Sequence, residues 1–310
     1  MGSGEIAVPA LAAMAACAAL ELVCIITQPD KKQGRKRQLQ PTPVGAWCDA
    51  NGRKVLKPAS VNKPDCLSHL ESLNLDLILV FAFGQILKDQ LLKLPRLGCV
   101  NMHASLLPLY RGAAPVNAAI LNGDSETGIS IMQMTRGLDE GPVFARHSLA
   151  LGRQETAQSL EARLADFAAR IACPSIKQIA SGELQATPQD VEAATYAPKI
   201  TKADGVIDWT QPADAIERQI RGYYPWPGAK CRVDTGKGDL RLTITEAIVI
   251  DTRHNEQPGT LLRADKHGWI IACGQHALRL DRVIPEGRKE MTGIEFVRGR
   301  PLLKVLPPEA

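Results

Sequence analysis

The chain has 310 residues, 45% of them hydrophobic and 23% charged, with a formal net charge of +4. That length allows two domains, and that balance belongs to an ordinary folded protein, which excludes a polycation. Residues 1–200 carry 20 basic and 18 acidic groups and residues 201–310 carry 17 and 15, so any contact with nucleic acid must come from local patches.

Cysteines stand at 17, 24, 48, 66, 99, 173, 231 and 273, with no C-x-x-C or other metal-type spacing. They read as reduced, mostly buried thiols of a cytoplasmic protein, with no metal site. Residues 6–20 are apolar and alanine-rich. They lack a basic start, contain Pro9 and run into Glu21, which reads as an amphipathic helix rather than a signal or membrane segment.

In chain order, the pattern predicts a helix over 8–19 and a short buried strand over 22–26. A polar, basic loop follows over 28–43. A helix over 43–51 and a strand at 54–56 come next, then a helix over 64–72. Residues 76–81 form the strongest buried-strand signal. A helix over 87–92, a strand over 99–102, a helix over 113–121, an alternating strand over 127–134 and a long helix over 159–181 complete this half. Strands alternating with helices predict an α/β domain with a Rossmann-like, mostly parallel sheet. After about residue 200 the pattern changes. Short strands at 230–233, 240–249, 259–263, 269–272 and 278–283, punctuated by Gly, Pro and Asp, predict a small OB-like β-barrel. The division expected is a catalytic domain over 1–187, a linker over 188–203 and a barrel domain over 204–310.

Asn101 and His103 sit two residues apart at the end of an apolar run. If that run ends a strand, alternation sends both to one side, where open α/β sheets build their sites. A carboxamide can donate to a developing oxyanion, and an imidazole can move a proton near neutral pH. Asp139 lies in a glycine-flanked turn, Gly137-Leu138-Asp139-Glu140-Gly141, after the 127–134 strand. Alone, each signal has a plain competitor: an isolated N-x-H is usually structural, and a Gly-Asp-Gly stretch is usually a turn.

Taken together, Asn101-x-His103-x-Ser105-Leu106-Leu107-Pro108, then Tyr110-Arg111-Gly112-Ala113-Ala114-Pro115, then Gly128-Ile129-Ser130-Ile131-Met132-Gln133-Met134, then the Gly137–Gly141 turn, resemble the folate-dependent formyltransferase superfamily. Thr27-Gln28-Pro29-Asp30 before a basic loop, and a C-terminal β domain bearing Tyr224-Pro225-Trp226-Pro227, favour the members that act on methionyl initiator tRNA over those that act on glycinamide ribonucleotide. The resemblance implies 10-formyltetrahydrofolate as formyl donor, the α-amine of methionyl initiator tRNA as acceptor, no metal, no membrane and a monomer. Asn101 would then hold the oxyanion, His103 would move the proton, and Asp139 would set the His tautomer and relay protons. The folate pocket would draw on Phe81, Phe83, Gly84, Gln85, Ile86, Ser105, Leu106, Leu107, Pro108, Gly137 and Leu138. Many relatives have Tyr where this chain has Phe83, so any hydroxyl contact there is lost. The tRNA would be met by Lys31, Lys32, Arg35, Lys36 and Arg37 in a loop that orders on binding, by Arg111, and by Lys230, Arg232 and Arg288 on the barrel. Three alternatives stay open: a formyltransferase for a small amine, a formyl-folate hydrolase, and an inactive folate- or RNA-binding homologue.

The resemblance carries one departure. The superfamily usually opens with a strand of the type R-I-V-F-x-G before the A-V-P-A-L helix, and this sequence opens at that Gly. The expectation is therefore a sheet without its first, central strand, which either leaves backbone groups of its neighbours unpaired or has another segment in the gap.

Overall fold

The computed structural model describes residues 1–33, 37–236, 238–265, 268–299 and 304–306. The chain divides into two compact units. One comprises Met1–Pro115, Glu126–Ala150 and Glu161–Ala197; the other comprises Val116–Ser125, Leu151–Leu160 and Pro198–Ala310. The division at 197/198 falls inside the expected linker, but residues 188–197 belong to the first unit.

In the first unit, helix Val8–Ala16 follows a 3-10 turn at Glu5–Ala7. Helix Pro43–Ala50 starts with proline at its first position, and the Thr42 hydroxyl accepts from the Gly45 N–H at 3.0 Å. These are the two usual devices for satisfying a helix start. A four-stranded sheet runs in the order Ile78–Val80, Cys99–His103, Glu126–Gln133, Val143–Ala150. Its first pair is parallel and the other two are antiparallel, so the sheet is mixed rather than mostly parallel. Strand Val143–Ala150 was not anticipated. Helix Ala157–Ala180 carries Pro174 within it.

The edge beside Ile78–Val80 is partnered by the first residues of the sequence. Met1 and Gly2 lie along it: the Met1 amine donates to Leu79 O at 2.6 Å, and the Phe81 N–H donates to Met1 O at 2.9 Å. On the other side, the Gly2 N–H donates to Ile26 O at 3.0 Å. Among the described residues, the expected strand at 22–26 is reduced to one parallel bridge, Ile26 with Leu56, and Val23 is 48% exposed. A hollow of about 30 Å³ remains, lined by Met1, Leu11, Ile25, Leu79 and Phe81 among others.

Cys17 and Cys173 are joined by a disulfide, with Cα atoms 6.7 Å apart. This corrects the expectation of eight reduced thiols: the end of the first helix meets the long helix 157–180 there. The other six cysteines are free. Burial pushes the thiols of Cys99, Cys231 and Cys273 up to about 12, so at neutral pH they are inert packing groups.

The second unit is a nearly closed antiparallel barrel, in the order Leu261–Asp265, Gly268–Ala272, Ala277–Pro285, Asp239–Ile250, Ala229–Asp234, Lys304–Leu306. All five predicted strands are present. Its core gathers around Trp269, which stacks on Phe296 with ring centroids 5.3 Å apart. Helix Ala213–Gly222, unread in the sequence, turns Ala213, Ile216 and Ile220 into that core. The segment 116–125 belongs here by hydrogen bonding: Asn117 donates to Gly222 O at 2.7 Å and Arg218 to Leu121 O at 3.0 Å. Among the described residues, no helix is long and apolar enough to cross a membrane.

Candidate active site

Strand Cys99–His103 lies between Ile78–Val80 and Glu126–Gln133, with Asn101 opposite Val80 and Met132, and His103 opposite Ser130. Alternation sends Val100 and Met102 into the core at 0% and 1% exposure, and puts Asn101 and His103 on the other face. Asn101 is partly exposed, and its carboxamide makes no hydrogen bond with the described residues. It is a donor without a fixed acceptor.

His103 is 5% exposed and faces two oxygens. Its Nε2 is 2.9 Å from the Tyr110 carbonyl oxygen, and its Nδ1 is 3.6 Å from Asp139 Oδ2. A carbonyl can only accept, so Nε2 carries the hydrogen and Nδ1 is the nitrogen that exchanges a proton. The tautomer is therefore set by Tyr110, not by Asp139 as the sequence reading had it. Asp139 holds a left-handed backbone, φ 49°, and its Oδ2 accepts the Gly112 N–H at 2.9 Å. Gly112 has φ 118°, and a Cβ there would stand 2.6 Å from Ala197 O, so only glycine fits between the site and the paired strand.

The expected folate residues divide. Phe81 and Phe83 are 5% and 3% exposed, and their side chains pack as core. The Gly84 carbonyl accepts from Gln28 Nε2 at 2.7 Å, and Gly84 itself has φ 80°. Gln85 is engaged internally, accepting from the Val61 N–H at 2.9 Å and donating to Pro58 O at 3.2 Å. Ser105 and Leu107 are 0% and 1% exposed. The Ser105 hydroxyl donates to Leu109 O at 2.6 Å, and the Ser130 hydroxyl donates to Ser105 O at 2.7 Å while accepting the Leu107 N–H at 2.9 Å. These two residues brace the turn from within and are corrected to supports. Leu106, Pro108 and Gly137 are partly exposed; Ile86 and Leu138 are 82% and 61% exposed.

The basic stretch is a hairpin at its flanks. Lys31–Gln33 pairs antiparallel with Gln38–Gln40, which corrects the expectation of an irregular loop. Lys31, Lys32 and Arg37 are exposed; Arg35 and Lys36 lie outside the described residues. Arg111 is corrected from a tRNA contact: it is 3% exposed, and its Nε and Nη2 donate to Gln189 Oε1 at 3.2 and 2.9 Å. On the barrel, Arg232 is paired with Asp239, Lys230 is half-buried and Arg288 is exposed. Among the described residues, no cluster of His, Cys, Asp or Glu could hold a metal ion. Tyr110, Gly112 and Ser130 stand in the sequence motifs without an assigned role, and sequence reasoning missed Gln189 and Thr195, which act across long stretches of chain and leave no local pattern.

A buried His–Asp pair beside an unengaged carboxamide, on an α/β sheet joined in sequence to a β-barrel, defines an acyl-type group-transfer protein. The formyl transferase family matches residues 3–176, and the formyl transferase C-terminal domain matches residues 199–301. The methionyl-tRNA formyltransferase of Caldanaerobacter subterraneus subsp. tengcongensis is 42% identical over 96% of this chain and 95% of its own length. That of Geobacter metallireducens is 40% identical over 90% of this chain and 88% of its own. A solved N-formyltransferase from Helicobacter canadensis, in complex with folinic acid and dTDP-3-aminofucose, shares the fold at TM-score 0.63 and 16% identity, covering 90% of this chain and 96% of that one. The chain belongs to the methionyl-tRNA formyltransferase family.

Proposed function

We propose that this protein transfers a formyl group from 10-formyltetrahydrofolate to the α-amine of methionyl initiator tRNA. The observation that carries the reading is His103, held at Nε2 by the Tyr110 carbonyl and facing Asp139 through Nδ1, on the same strand face as the unengaged Asn101 carboxamide. The folate supplies the formyl group. As the amine adds to the formyl carbon, charge collects on the formyl oxygen, and Asn101 donates to it there; one such donor is worth about 3 kcal/mol. His103 takes the amine proton on Nδ1, and the imidazolium so formed lies beside the Asp139 carboxylate. When the carbon–nitrogen bond to the donor breaks, the proton on Nδ1 passes to the leaving nitrogen, which returns His103 to its starting tautomer.

Ile86 and Leu138 supply apolar cover for the donor, and the peptide groups around Gly84 and Gly137 read the edge of its ring system. Lys31, Lys32 and Arg37, with Arg35 and Lys36 between them, meet the phosphates of the acceptor, and Lys230 and Arg288 add charge on the barrel. The enzyme works as a monomer in the cytoplasm.

The test is an acceptor assay with formyl-folate and three acceptors: charged initiator tRNA, small amines including nucleotide-linked amino sugars, and water. Product on the tRNA, with little on the others, supports the reading. Turnover confined to a small amine or to water replaces it with the corresponding alternative.

A further inference from the structure

His103 faces two acceptors, and both stand on residues with left-handed backbone, Tyr110 at φ 60° and Asp139 at φ 49°. Residues other than glycine hold that conformation only where their surroundings keep them there. One stretch of chain keeps both.

Thr195 grips Tyr110. Its hydroxyl accepts the Tyr110 N–H at 2.8 Å, its own N–H donates to Pro108 O at 3.2 Å, and its carbonyl accepts the Arg111 N–H at 2.8 Å. Gln189 grips the Asp139 turn. Its Nε2 donates to Asp139 O at 2.8 Å and to Gly141 O at 2.7 Å, while its Oε1 accepts both bonds from Arg111. The amide can sit only one way round, because two carbonyls demand the NH2 and a guanidinium demands the oxygen. Gln189 is 8% exposed, so each of these bonds would be expensive to leave unmade.

We propose that Gln189 and Thr195 are positioning residues of the transfer reaction, a two-point clamp that aims the two oxygens between which His103 works. The inference rests on the formyl-transfer reading above and assigns a catalytic task to a segment that the sequence presents as a linker.

Two tests separate the inference from that reading. The first is steady-state formyl transfer by Thr195→Val, Thr195→Ser, Gln189→Ala and Gln189→Glu. Thr195→Val and both Gln189 variants should lose at least about tenfold in kcat with KM for donor and acceptor held within about threefold; Thr195→Ser, which keeps the hydroxyl, should stay within about threefold of the parent. Gln189→Glu is the decisive variant. It keeps an acceptor for Arg111 but turns a carboxylate toward two carbonyl oxygens, so retained kcat would overturn the role of the amide NH2. A loss appearing in KM alone, or Thr195→Ser as impaired as Thr195→Val, would also overturn the clamp. The second test needs no acceptor. The imidazole ¹⁵N shifts of neutral His103 should report the Nε2–H tautomer in the parent and a mixed population in Thr195→Val; an unchanged tautomer refutes the grip on Tyr110. A parent enzyme active only on a small amine or water removes the tRNA reading, while the variant-to-parent ratio on that acceptor still judges the clamp.

Discussion

Replacing Asp139 by Asn isolates the charge of the site from its shape. Asn fills the same volume, and its carbonyl oxygen can still accept the Gly112 N–H now bonded at 2.9 Å, so the turn should keep its conformation. What disappears is a negative charge 3.6 Å from His103 Nδ1, with both side chains largely buried at 6% and 16% exposure. For full charges at that distance and an effective dielectric of about 20, the interaction is about 4.6 kcal/mol. Proton transfer to Nδ1 is partial in the transition state; taking about half the charge leaves about 2.3 kcal/mol, or roughly fiftyfold in kcat. The assay is saturating kcat on charged initiator tRNA alongside a thermal melt. A kcat within about threefold of the parent would refute an electrostatic role for Asp139. A loss accompanied by a marked drop in melting temperature would refute the premise that geometry is preserved.

Asn101→Ala should lower kcat by about 10²- to 10³-fold in a single-turnover assay, as expected for one oxyanion donor. Its melting temperature should not move, because the carboxamide has no partner among the described residues to lose; a parallel loss of stability would count against that role. His147 has a buried Nε2 without a partner among the described residues and packs edge-on to Phe167, and burial holds its pKa below the ordinary value of about 6.5. The unfolded chain therefore protonates first, and the folded state loses stability as pH falls below about 6.5. His147→Leu should flatten that slope when urea midpoints are compared at about pH 7.5 and about pH 5; parallel slopes would refute the assignment. Charge reversal of Lys31 and Lys32 together should raise KM for tRNA and reduce the slope of log affinity against log salt by about two. An unchanged salt slope would leave the hairpin without a role in phosphate binding.

Much of the chemistry was legible because it rides on periodic or punctuated sequence. Asn101 and His103 show the two-residue alternation of a strand end, and Asp139 sits among glycines. The barrel strands were read almost to the residue, since Gly, Pro and Asp mark each reversal. Helix Ala213–Gly222 does carry a signal, the helical spacing of Ala213, Ile216 and Ile220, but it is a short one ahead of a run of strands. The hairpin Lys31–Gln33 with Gln38–Gln40 carries no such signal, because Lys31, Lys32 and all of Gln38–Gln40 are exposed. The run at 22–26 looks like a strand on composition, yet a strand is made by its neighbours, and among the described residues it meets Gly2 through one hydrogen bond and Leu56 through one bridge. Gln189 contacts a turn 50 residues away through two carbonyl oxygens, and Thr195 acts on a main-chain N–H 85 residues away. No local spacing encodes such contacts; they appear only once the chain is folded.

The pairing of Arg111–Gly112 with Tyr196–Ala197 bears on how the protein can be dissected. A catalytic fragment ending at residue 187, where composition suggests a boundary, would lose Gln189, Thr195 and Ala197 at once. The carbonyls of Asp139 and Gly141 and the N–H groups of Tyr110, Arg111 and Ala113 would lose their partners in the same stroke. At about 1 kcal/mol net for each of these bonds, the deficit is on the order of 5 kcal/mol, which approaches the whole stability of a typical domain. A fragment ending after Ala197 keeps all of them. The ten residues between these two cuts separate a fragment that keeps every bond of this set around His103 from one that loses them all.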